Sequence, residues 1–431
     1  MYRGPMLPLP WRIAIDVVYL LIVFFIQRYW FVRAWRLIER VGQAAVRNSL
    51  RIIWIAAASA LVVTILDGVF GHFMPRTGAP AVILLLSRLW LSVSFLALAA
   101  VGLTGAFNWI SKSVLAAAAP ANHENLDRGR RAFFRKAAYL AGGLPFVAAA
   151  YGFFEERLSY RIMKVEIPVA NLPAGLDGMR IVQLSDIHAG DFMPQKEIRR
   201  AVDMANDLGA DLAVVTGDFI SVAHDPLEEC IAELGRLRAP LGVWGCNGNH
   251  EIYAGFEARA QQLFESFRMR LLRQENVELD WRGGKFNLIG VDYQRERLGA
   301  GKKAPMLRDM EPLVRKDMPN ILLSHNPNSF RRAAELGIEL SLAGHTHGGQ
   351  VQVEIVDHSF SPAQFMTDFI AGLYRLPLGA SSGAGSPAAG EDDASGKQAA
   401  LYVNRGLGTI GMPVRLGVPP EITLITLRTA G

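Results

Sequence analysis

The sequence predicts an α/β protein in two parts: transmembrane α-helices in residues 1 to 155, followed by an α/β domain in residues 160 to 431. The first observation behind this prediction is composition. Hydrophobic residues make up 51% of the 431, and the mean hydropathy of +0.19 is high for a soluble protein. The second is a change near residue 165, where long apolar stretches give way to short apolar runs alternating with amphipathic segments.

Four apolar stretches, near 13–32, 52–71, 81–110 and 137–154, account for the first part. Each approaches the roughly 20 residues that a helix needs to cross a bilayer. We therefore expect about four spans. Lys and Arg cluster in the first and third connections, whereas the second carries only Arg76. Because cytoplasmic loops are rich in Lys and Arg, the first and third connections are predicted to lie in the cytoplasm, and everything after residue 155 on the outer side of the membrane.

The third connection contains "RRAFFRK", residues 130–136, which resembles the twin-arginine export signal. Such signals are read by a receptor, so the resemblance implies the twin-arginine translocase as a partner and a bacterial cytoplasmic membrane as the location. A translocase of folded proteins suits a domain that must load metal before export. The alternative is a basic flank that only orients the helix.

Other charged and sulfur-containing residues are less informative. The net charge of +5 does not predict nucleic-acid binding, because many basic residues flank apolar runs instead of forming one face of a domain. Asp67 and Arg88 fall in apolar stretches, where a structural ion pair is favoured over a transport role. Cys230 and Cys246 are too few for a disulfide framework.

The second part alternates predicted strands with predicted helices. The strands are "MRIVQLSD", "DLAVVTGD" and "LGVWGCNGNH", and the helices are 195–208 and 227–238. This alternation indicates βαβ units and a mainly parallel sheet. Because ligands of such sheets bind at the carboxyl ends of the strands, the residues that follow each strand are the candidates for a functional site.

Potential metal ligands follow the predicted strands in an ordered series. The series consists of Asp186 and His188 in "SDIH", Asp218 in "TGD", Asn249 and His250 in "GNHE", His325 in "LLSHNP", and His345 and His347 in "AGHTHGGQ". A single buried histidine is more often a hydrogen-bonded core residue, but the whole series favours a metal site. Imidazole and carboxylate ligands suit Mn, Fe or Zn better than Mg or Ca.

The spacing of these ligands carries a further expectation. In D-x-H and H-T-H, the two outer side chains share one face if the segment is extended. Neighbouring glycines leave room for metal and substrate. Six or seven ligands, one of them a carboxylate able to bridge, are enough for two metal ions.

The complete pattern D-x-H, GD, GNH-[DE], H, GH-x-H resembles the calcineurin-like metallophosphoesterase superfamily. "QLSDIH", "GHTHGGQ" and "LYVNRGLGTIGMPVRLGVPPEITLITL" are similar to its membrane-associated YkuE/YaeI-type branch, over roughly residues 160 to 430. The resemblance implies a four-layer αββα metallophosphoesterase sandwich with two divalent metal ions (Mn, Fe or Zn). It implies that Asp186, His188 and His347 hold one ion, that Asn249, His325 and His345 hold the other, and that Asp218 bridges them.

The resemblance also implies that His250 is catalytic, as a general acid toward the leaving oxygen. Glu251, beside it, is a candidate for orienting its ring. Arg405, in "NRGLG", is a candidate contact for a substrate phosphate, with an ordinary salt bridge as the equal alternative.

These observations together predict a membrane-anchored, metal-dependent phosphoesterase acting on a phosphodiester or a lipid-linked phosphoester, with membrane lipid around its helices. One alternative is a UDP-diacylglucosamine-type pyrophosphatase at the cytoplasmic face. Another makes the helices a transporter or sensor regulated by the soluble domain. Residues 377–398 are of low complexity and predict a surface insertion. The sequence contains no Walker loop, GxSxG elbow or HExxH motif, which argues against nucleotide-driven transport, serine hydrolysis and zinc proteolysis.

Overall fold

The computed structural model describes residues 9–69, 74, 78–118, 124–294, 297–299, 302–304, 306–355, 358–360, 364, 367–379 and 396–430. The chain divides into two compact units, residues 1–150 and residues 151–431. Most of the predicted insertion at 377–398 lies outside the described residues, so its character stays a prediction. It connects two strands that pair antiparallel, Gly372–Pro377 and Gln398–Val403.

The first unit is built from long helices: α1 (Leu9–Ile38), α2 (Ala44–Val69), α3 (Gly78–Ala118) and α4 (Glu124–Phe154), whose last turn belongs to the second unit. Within the described residues, three segments are long and apolar enough to cross a membrane: Ala44–Asp67, Val82–Ser111 and Ala132–Leu158. The predicted first span, 13–32, lies in α1, some of whose side chains are outside the described residues. A fourth span therefore stays a prediction.

Polar side chains of the first unit bind one another. Asp67 on α2 is fully buried and lies 3.8 Å from the guanidinium of Arg88 on α3, which confirms the predicted structural ion pair. Gln27 donates to Ser94 Oγ (2.9 Å) and accepts from the indole N–H of Trp90 (2.7 Å). Such pairing is what helices in lipid require, because lipid offers no hydrogen-bond partners.

Two six-stranded sheets form the second unit. The first has the order β1 (Arg161–Val169), β16 (Glu421–Thr429), β2 (Arg180–Leu184), β3 (Leu212–Thr216), β4 (Val243–Cys246), β5 (Arg270–Leu271). The second has the order β14 (Gly372–Pro377), β15 (Gln398–Val403), β11 (Leu340–Ala343), β10 (Asn320–Ser324), β7 (Gly284–Val291), β6 (Glu275–Trp281). Two hairpins stand apart: β8 (Arg297–Gly299) with β9 (Lys302–Ala304), and β12 (Val353–Ile355) with β13 (His358–Phe360).

The layers follow from the buried clusters. Ile181 and Leu323, from different sheets, belong to the core between the sheets. The outer face of the first sheet packs against α5 (Gln195–Asn206), α6 (Leu227–Leu234) and α8 (Glu257–Ser266). The outer face of the second sheet packs against α9 (Phe330–Glu335). The predicted four-layer αββα arrangement is confirmed.

The central strands are buried on both faces. In β2, Ile181 faces the core between the sheets and Val182 faces the helices. Two-sided burial explains why these strands read as continuous apolar runs without alternation. The predicted strands correspond to β2, β3 and β4. Helix 195–208 corresponds to α5, and helix 227–238 to α6, which ends earlier, at Leu234.

Parallel pairing determines where the strands end. Strands β2, β3 and β4 run parallel in the first sheet, as do β7, β10, β11 and β15 in the second. Because parallel strands end at the same edge, each sheet gathers the loops that follow its strands. The predicted ligands lie in these loops.

Candidate metal centre

The eight predicted site residues follow five of these strands. Asp186 and His188 come after β2, Asp218 after β3, Asn249 and His250 at the start of α7 (Asn249–Ala254) after β4, His325 after β10, and His345 and His347 after β11. The two sheets therefore both contribute to one site. Contacts cross between them, as where the backbone N–H of His345 donates to both carboxylate oxygens of Asp186 (3.0 and 3.1 Å).

The first group of potential ligands consists of Asp186, His188 and His347. Their candidate ligand atoms all lie within 4.8 Å of one another. His347 Nε2 is 3.1 Å from His188 Nε2 and 3.3 Å from Asp186 Oδ1. These are the residues that the resemblance assigns to one ion.

The second group consists of Asp218, His325 and His345, again with candidate ligand atoms within 4.8 Å. Asp218 Oδ2 is 3.1 Å from His325 Nε2 and 3.6 Å from His188 Nε2. Asp218 thus belongs to the second group and also lies close to His188 of the first, as a bridging carboxylate would. Asn249 directly precedes His250, whose backbone N–H donates to Asp218 Oδ1 (3.0 Å).

The side chains converge for a different reason from the one predicted. Asp186, His188, Asp218, His345 and His347 all have positive φ angles, between 48° and 74°. They lie in left-handed turns beyond the strand ends, so the expectation of an extended D-x-H or H-T-H segment was wrong. A left-handed residue costs about 1–2 kcal/mol, and Asp and His are among the types that tolerate it best. Such strain is characteristic of functional sites.

Two glycines allow the loops to approach closely. A Cβ on Gly248 would collide with Asp218 Oδ1, and one on Gly344 would collide with Asp186 Oδ2. Both glycines have ordinary backbone conformations, so the requirement is space and not φ. Any larger residue at either position would push a carboxylate out of the site.

Hydrogen bonds orient two of the imidazoles. His325 Nδ1 is 2.6 Å from the carbonyl oxygen of Thr216, and His188 Nδ1 is 2.9 Å from Ser221 Oγ. A proton on Nδ1 in each ring leaves Nε2 free to bind a cation. This arrangement of an outer hydrogen bond behind each ligating ring is general in metal sites.

Burial and mutual charge govern the pKa values of the ligands. Burial lowers the pKa of His188 to about 3 and that of His347 well below its usual value, so both rings are neutral. Burial raises the pKa of Asp186 to about 6. Burial alone would raise the pKa of Asp218 and lower that of His325, but the attraction between these two groups outweighs burial. The pKa of Asp218 is therefore lowered, and that of His325 is raised to about 10. A bound cation would replace the His325 proton as the partner of Asp218.

The site fits a pair of divalent cations. Asn249 Oδ1 is buried and has no hydrogen-bond partner among the described residues. The Nε2 atoms of His188 and His347 face each other at 3.1 Å. Buried acceptors of this kind are costly unless a donor or a cation satisfies them. Nitrogen and oxygen ligands in this mixture suit Mn, Fe or Zn.

His250 lies beside the first group. Its Nδ1 is 2.6 Å from the carbonyl oxygen of Ser221, and its ring is edge-on to His188 at 4.9 Å between centroids. Its candidate ligand atom also lies within 4.8 Å of those of His188 and Asp218. The half-buried ring is therefore held at the rim of the site, as a general acid would need to be.

Glu251 has a role other than the one predicted from the sequence. Instead of orienting His250, its buried carboxylate accepts hydrogen bonds from the backbone N–H groups of Asp218 (3.0 Å), Phe219 (2.8 Å), Ile220 (3.3 Å) and Gly248 (2.8 Å). Burial, followed by the charge of Asp218, raises the pKa of Glu251 to about 7. The only feature of the sequence that pointed to Glu251 was its position directly after His250 in "GNHE".

Two arginines support the loop after β15. Arg405 Nε is 3.4 Å from Glu421 Oε2, which favours an ordinary salt bridge over a contact with a substrate phosphate. Arg415 is fully buried and donates to the carbonyl oxygens of Arg405, Gly406, Gly408 and Val418. The backbone N–H of Gly408 in turn donates to the carbonyl oxygen of Asp186 (2.8 Å). Sequence inspection did not single out Arg415, because a structural arginine has no motif.

Comparisons with known proteins agree with this geometry. A family model described as "Calcineurin-like phosphoesterase" matches residues 179–349, the range that contains all the predicted ligands. The chain is 30% identical over 317 residues to a "Transmembrane protein with metallophosphoesterase domain" from Bos taurus, covering 71% of this chain and 65% of that protein. It is 30% identical over 297 residues to a protein of the same name from Danio rerio, covering 66% and 61%.

A bacterial relative is matched over most of its length. The "Uncharacterized metallophosphoesterase YkuE" of Bacillus subtilis is 26% identical over 306 residues, which cover 67% of this chain and 94% of the relative. The chain spans a little less than two thirds of the vertebrate relatives. The chain carries a calcineurin-like metallophosphoesterase domain, the domain of a family of phosphoester hydrolases.

Proposed function

We propose that this protein is a membrane-anchored phosphodiesterase that uses two divalent metal ions to hydrolyse phosphodiester or lipid-linked phosphoester bonds. The observation that carries the proposal is the pair of ligand groups joined at Asp218, one with His188 at 3.6 Å and the other with His325 at 3.1 Å. Two ligand groups that share one carboxylate are what a dinuclear site requires.

Each ion would have its own set of ligands and share one carboxylate. Asp186, His188 and His347 would hold one ion, Asn249, His325 and His345 the other, and Asp218 both. When bound, such a pair of ions lowers the pKa of water and neutralises the charge of phosphoryl oxygens. Glu251 and Ser221 keep the ligands in place through backbone and ring hydrogen bonds.

His250 would supply the proton for the leaving oxygen. The carbonyl oxygen of Ser221 accepts from its Nδ1–H, which leaves Nε2 to face the site. A general acid must lie within hydrogen-bonding reach of the oxygen that it protonates. We therefore expect the leaving group of the substrate to lie on the His250 side of the site.

Membrane association is supported by three candidate spans and by relatives named as transmembrane proteins. We propose further that the protein is multi-pass in a bacterial cytoplasmic membrane, that the catalytic unit faces outward, and that the twin-arginine translocase exports it. The motif at 130–136 and the distribution of basic residues support this orientation.

The substitution Asp218→Asn tests the dinuclear mechanism. We expect turnover of a model phosphodiester by the full-length, Mn-loaded protein to fall by about 10³-fold or more, because a neutral amide cannot bridge two cations and stabilise their charge. The matched control is Asp203→Asn, which removes an exposed carboxylate that pairs with Arg236. Unchanged turnover in Asp218→Asn, with folding and metal content measured in parallel, would remove the dinuclear mechanism.

A further inference from the structure

Two exposed apolar residues, Val222 and Tyr253, lie beside the His250 ring or directly after a residue that binds it. Val222 directly follows Ser221, whose carbonyl oxygen binds His250, and it is 45% exposed. The Tyr253 ring lies 5.8 Å from the His250 ring between centroids and is 55% exposed. Single exposed apolar residues are ordinary on protein surfaces, but here one lies beside the ring of a functional side chain and the other follows the residue whose carbonyl oxygen binds it.

The structure holds both residues in fixed positions. The Asp225 carboxylate accepts from the backbone N–H groups of Ser221 (2.7 Å) and Val222 (2.8 Å), which fixes the loop that carries Val222. His250 and Tyr253 are three residues apart on α7, so their side chains lie on one face of the helix. We call Val222 and Tyr253 the apolar rim: hydrogen bonds fix the backbone of Val222, and the Tyr253 ring lies next to that of His250.

The two segments that carry Val222 and His250 contain no lysine or arginine. These segments are "FISVAHDP" (219–226) and "NHEIYAGF" (249–256). The acidic Glu251 is buried in its backbone bonds, and Asp225 is bound to the loop. Phosphate-containing leaving groups are ordinarily held by Arg or Lys, and neither segment supplies one, which favours an uncharged leaving group over a nucleotide or a pyrophosphate.

We infer that the substrate is a phosphodiester whose leaving alcohol is apolar next to its oxygen, and that Val222 and Tyr253 bind that alcohol. The inference rests on the proposed function, since it takes the leaving oxygen to be within reach of His250. Water gives the oxygen of the new P–O bond. The bond from phosphorus to the leaving oxygen breaks, its electron pair stays on that oxygen, and the His250 proton converts it to the free alcohol. One water proton remains with the phosphomonoester and the other restores His250.

Two substrates that differ only in the leaving alcohol test the inference. Ethyl methyl phosphate and hexyl methyl phosphate share the methyl ester, and their longer alcohols have nearly the same acidity. For the Mn-loaded full-length protein, we expect kcat/KM for release of hexanol to exceed that for release of ethanol on the order of tenfold, because the added methylenes are buried against the rim. The variant Val222→Asn with Tyr253→Gln should reduce this ratio to about two or less.

The matched control is Phe267→Ala, which truncates another exposed aromatic ring, at the end of α8 and against Gly235 at the end of α6. It should leave the ratio unchanged. Hydrolysis of both substrates at equal rates, or a high ratio that survives the double substitution, would overturn the inference while the proposed function stands. Hydrolysis of neither substrate would overturn both.

Discussion

Ser221 connects a predicted metal ligand to the predicted acid. Its hydroxyl lies 2.9 Å from His188 Nδ1, and its carbonyl oxygen accepts from His250 Nδ1 at 2.6 Å. The two contacts use different atoms of one residue. A side-chain substitution can therefore remove the support of His188 and leave that of His250 in place.

We expect Ser221→Ala to weaken the binding of one of two Mn equivalents by about 10–100-fold, the usual cost of losing a hydrogen bond behind a ligating histidine. Equilibrium dialysis of the full-length protein measures this directly. Ser221→Thr keeps a hydroxyl and should restore the affinity, whereas Ser266→Ala, which removes an unrelated serine hydroxyl on α8, should have no effect. Equal Mn binding by Ser221→Ala and the unaltered protein would show that the hydroxyl does not position His188.

At the residue scale, sequence patterns predicted the residues that the structure gathers but not the residues that hold them. Asp186, His188 and His347 are recognisable because metal ligands need particular atoms at particular spacings. Ser221 and Arg415 act through a hydroxyl and through bonds to carbonyl oxygens, which many residues in many places could supply. Their importance depends on which loops the fold brings together, and no local pattern records that.

Among the elements, α7 and the loop after β3 are joined by a single carboxylate. Glu251 accepts four backbone N–H groups, three from the loop at Asp218–Ile220 and one from Gly248. These groups are buried, and buried N–H groups need an acceptor. Glu251 thus ties the loop that carries Asp218 to the start of the helix that carries Asn249.

We expect Glu251→Gln to destabilise the catalytic unit by about 3 kcal/mol, because hydrogen bonds to a charged acceptor contribute about 1.5–3 kcal/mol each and the amide NH₂ of Gln would face donors. The measurement is the thermal unfolding of the detergent-solubilised protein, followed by intrinsic fluorescence, together with its Mn stoichiometry. Glu265→Gln, at an exposed position on α8, is the matched control. A melting temperature equal to that of the control would contradict a structural role for Glu251.

Element prediction succeeded where burial imposes a simple pattern. Strands β2, β3 and β4 are buried on both faces and bounded by polar turns, so they were predicted correctly. The turns that present Asp186 and His345 were predicted as extended, because positive φ at Asp and His is stabilised by tertiary contacts that periodicity does not reveal. Hydrogen bonds such as that from His345 N–H to Asp186 come from the other sheet.

For the whole molecule, composition and long apolar stretches predicted a membrane part, and the alternation of strands and helices predicted an α/β part, while the pairing of two sheets came from the resemblance alone. A single chain of βαβ units is compatible with one sheet or two. The second sheet is distinguished by non-local pairs, such as β11 with β15, whose partners are 60 residues apart. Which sheet a strand joins depends on these long-range pairs.

We propose the side of the membrane on which the catalytic unit lies from the distribution of basic residues, and the effect of their charge can be tested separately from that of the twin-arginine motif. Arg130→Lys with Arg131→Lys keeps the positive charge that orients a helix but removes the twin-arginine pair that a receptor reads. With β-lactamase fused to the carboxyl terminus and the protein expressed in a bacterium, we expect the unaltered chain to give ampicillin resistance and the double variant to lose it. Arg36→Lys with Arg40→Lys, in the first basic connection, is the matched control and should remain resistant.

The two chains answer different questions. The unaltered chain tests whether the catalytic unit is exported, and the Arg130/Arg131 variant tests the route of export. Resistance that persists in the Arg130/Arg131 variant would contradict the twin-arginine route but keep the catalytic unit outside, with the basic flank alone setting the orientation. Sensitivity of the unaltered chain, with the fusion present at full length in the membrane, would place the catalytic unit in the cytoplasm. The candidate substrates would then be phosphoesters of the inner membrane face.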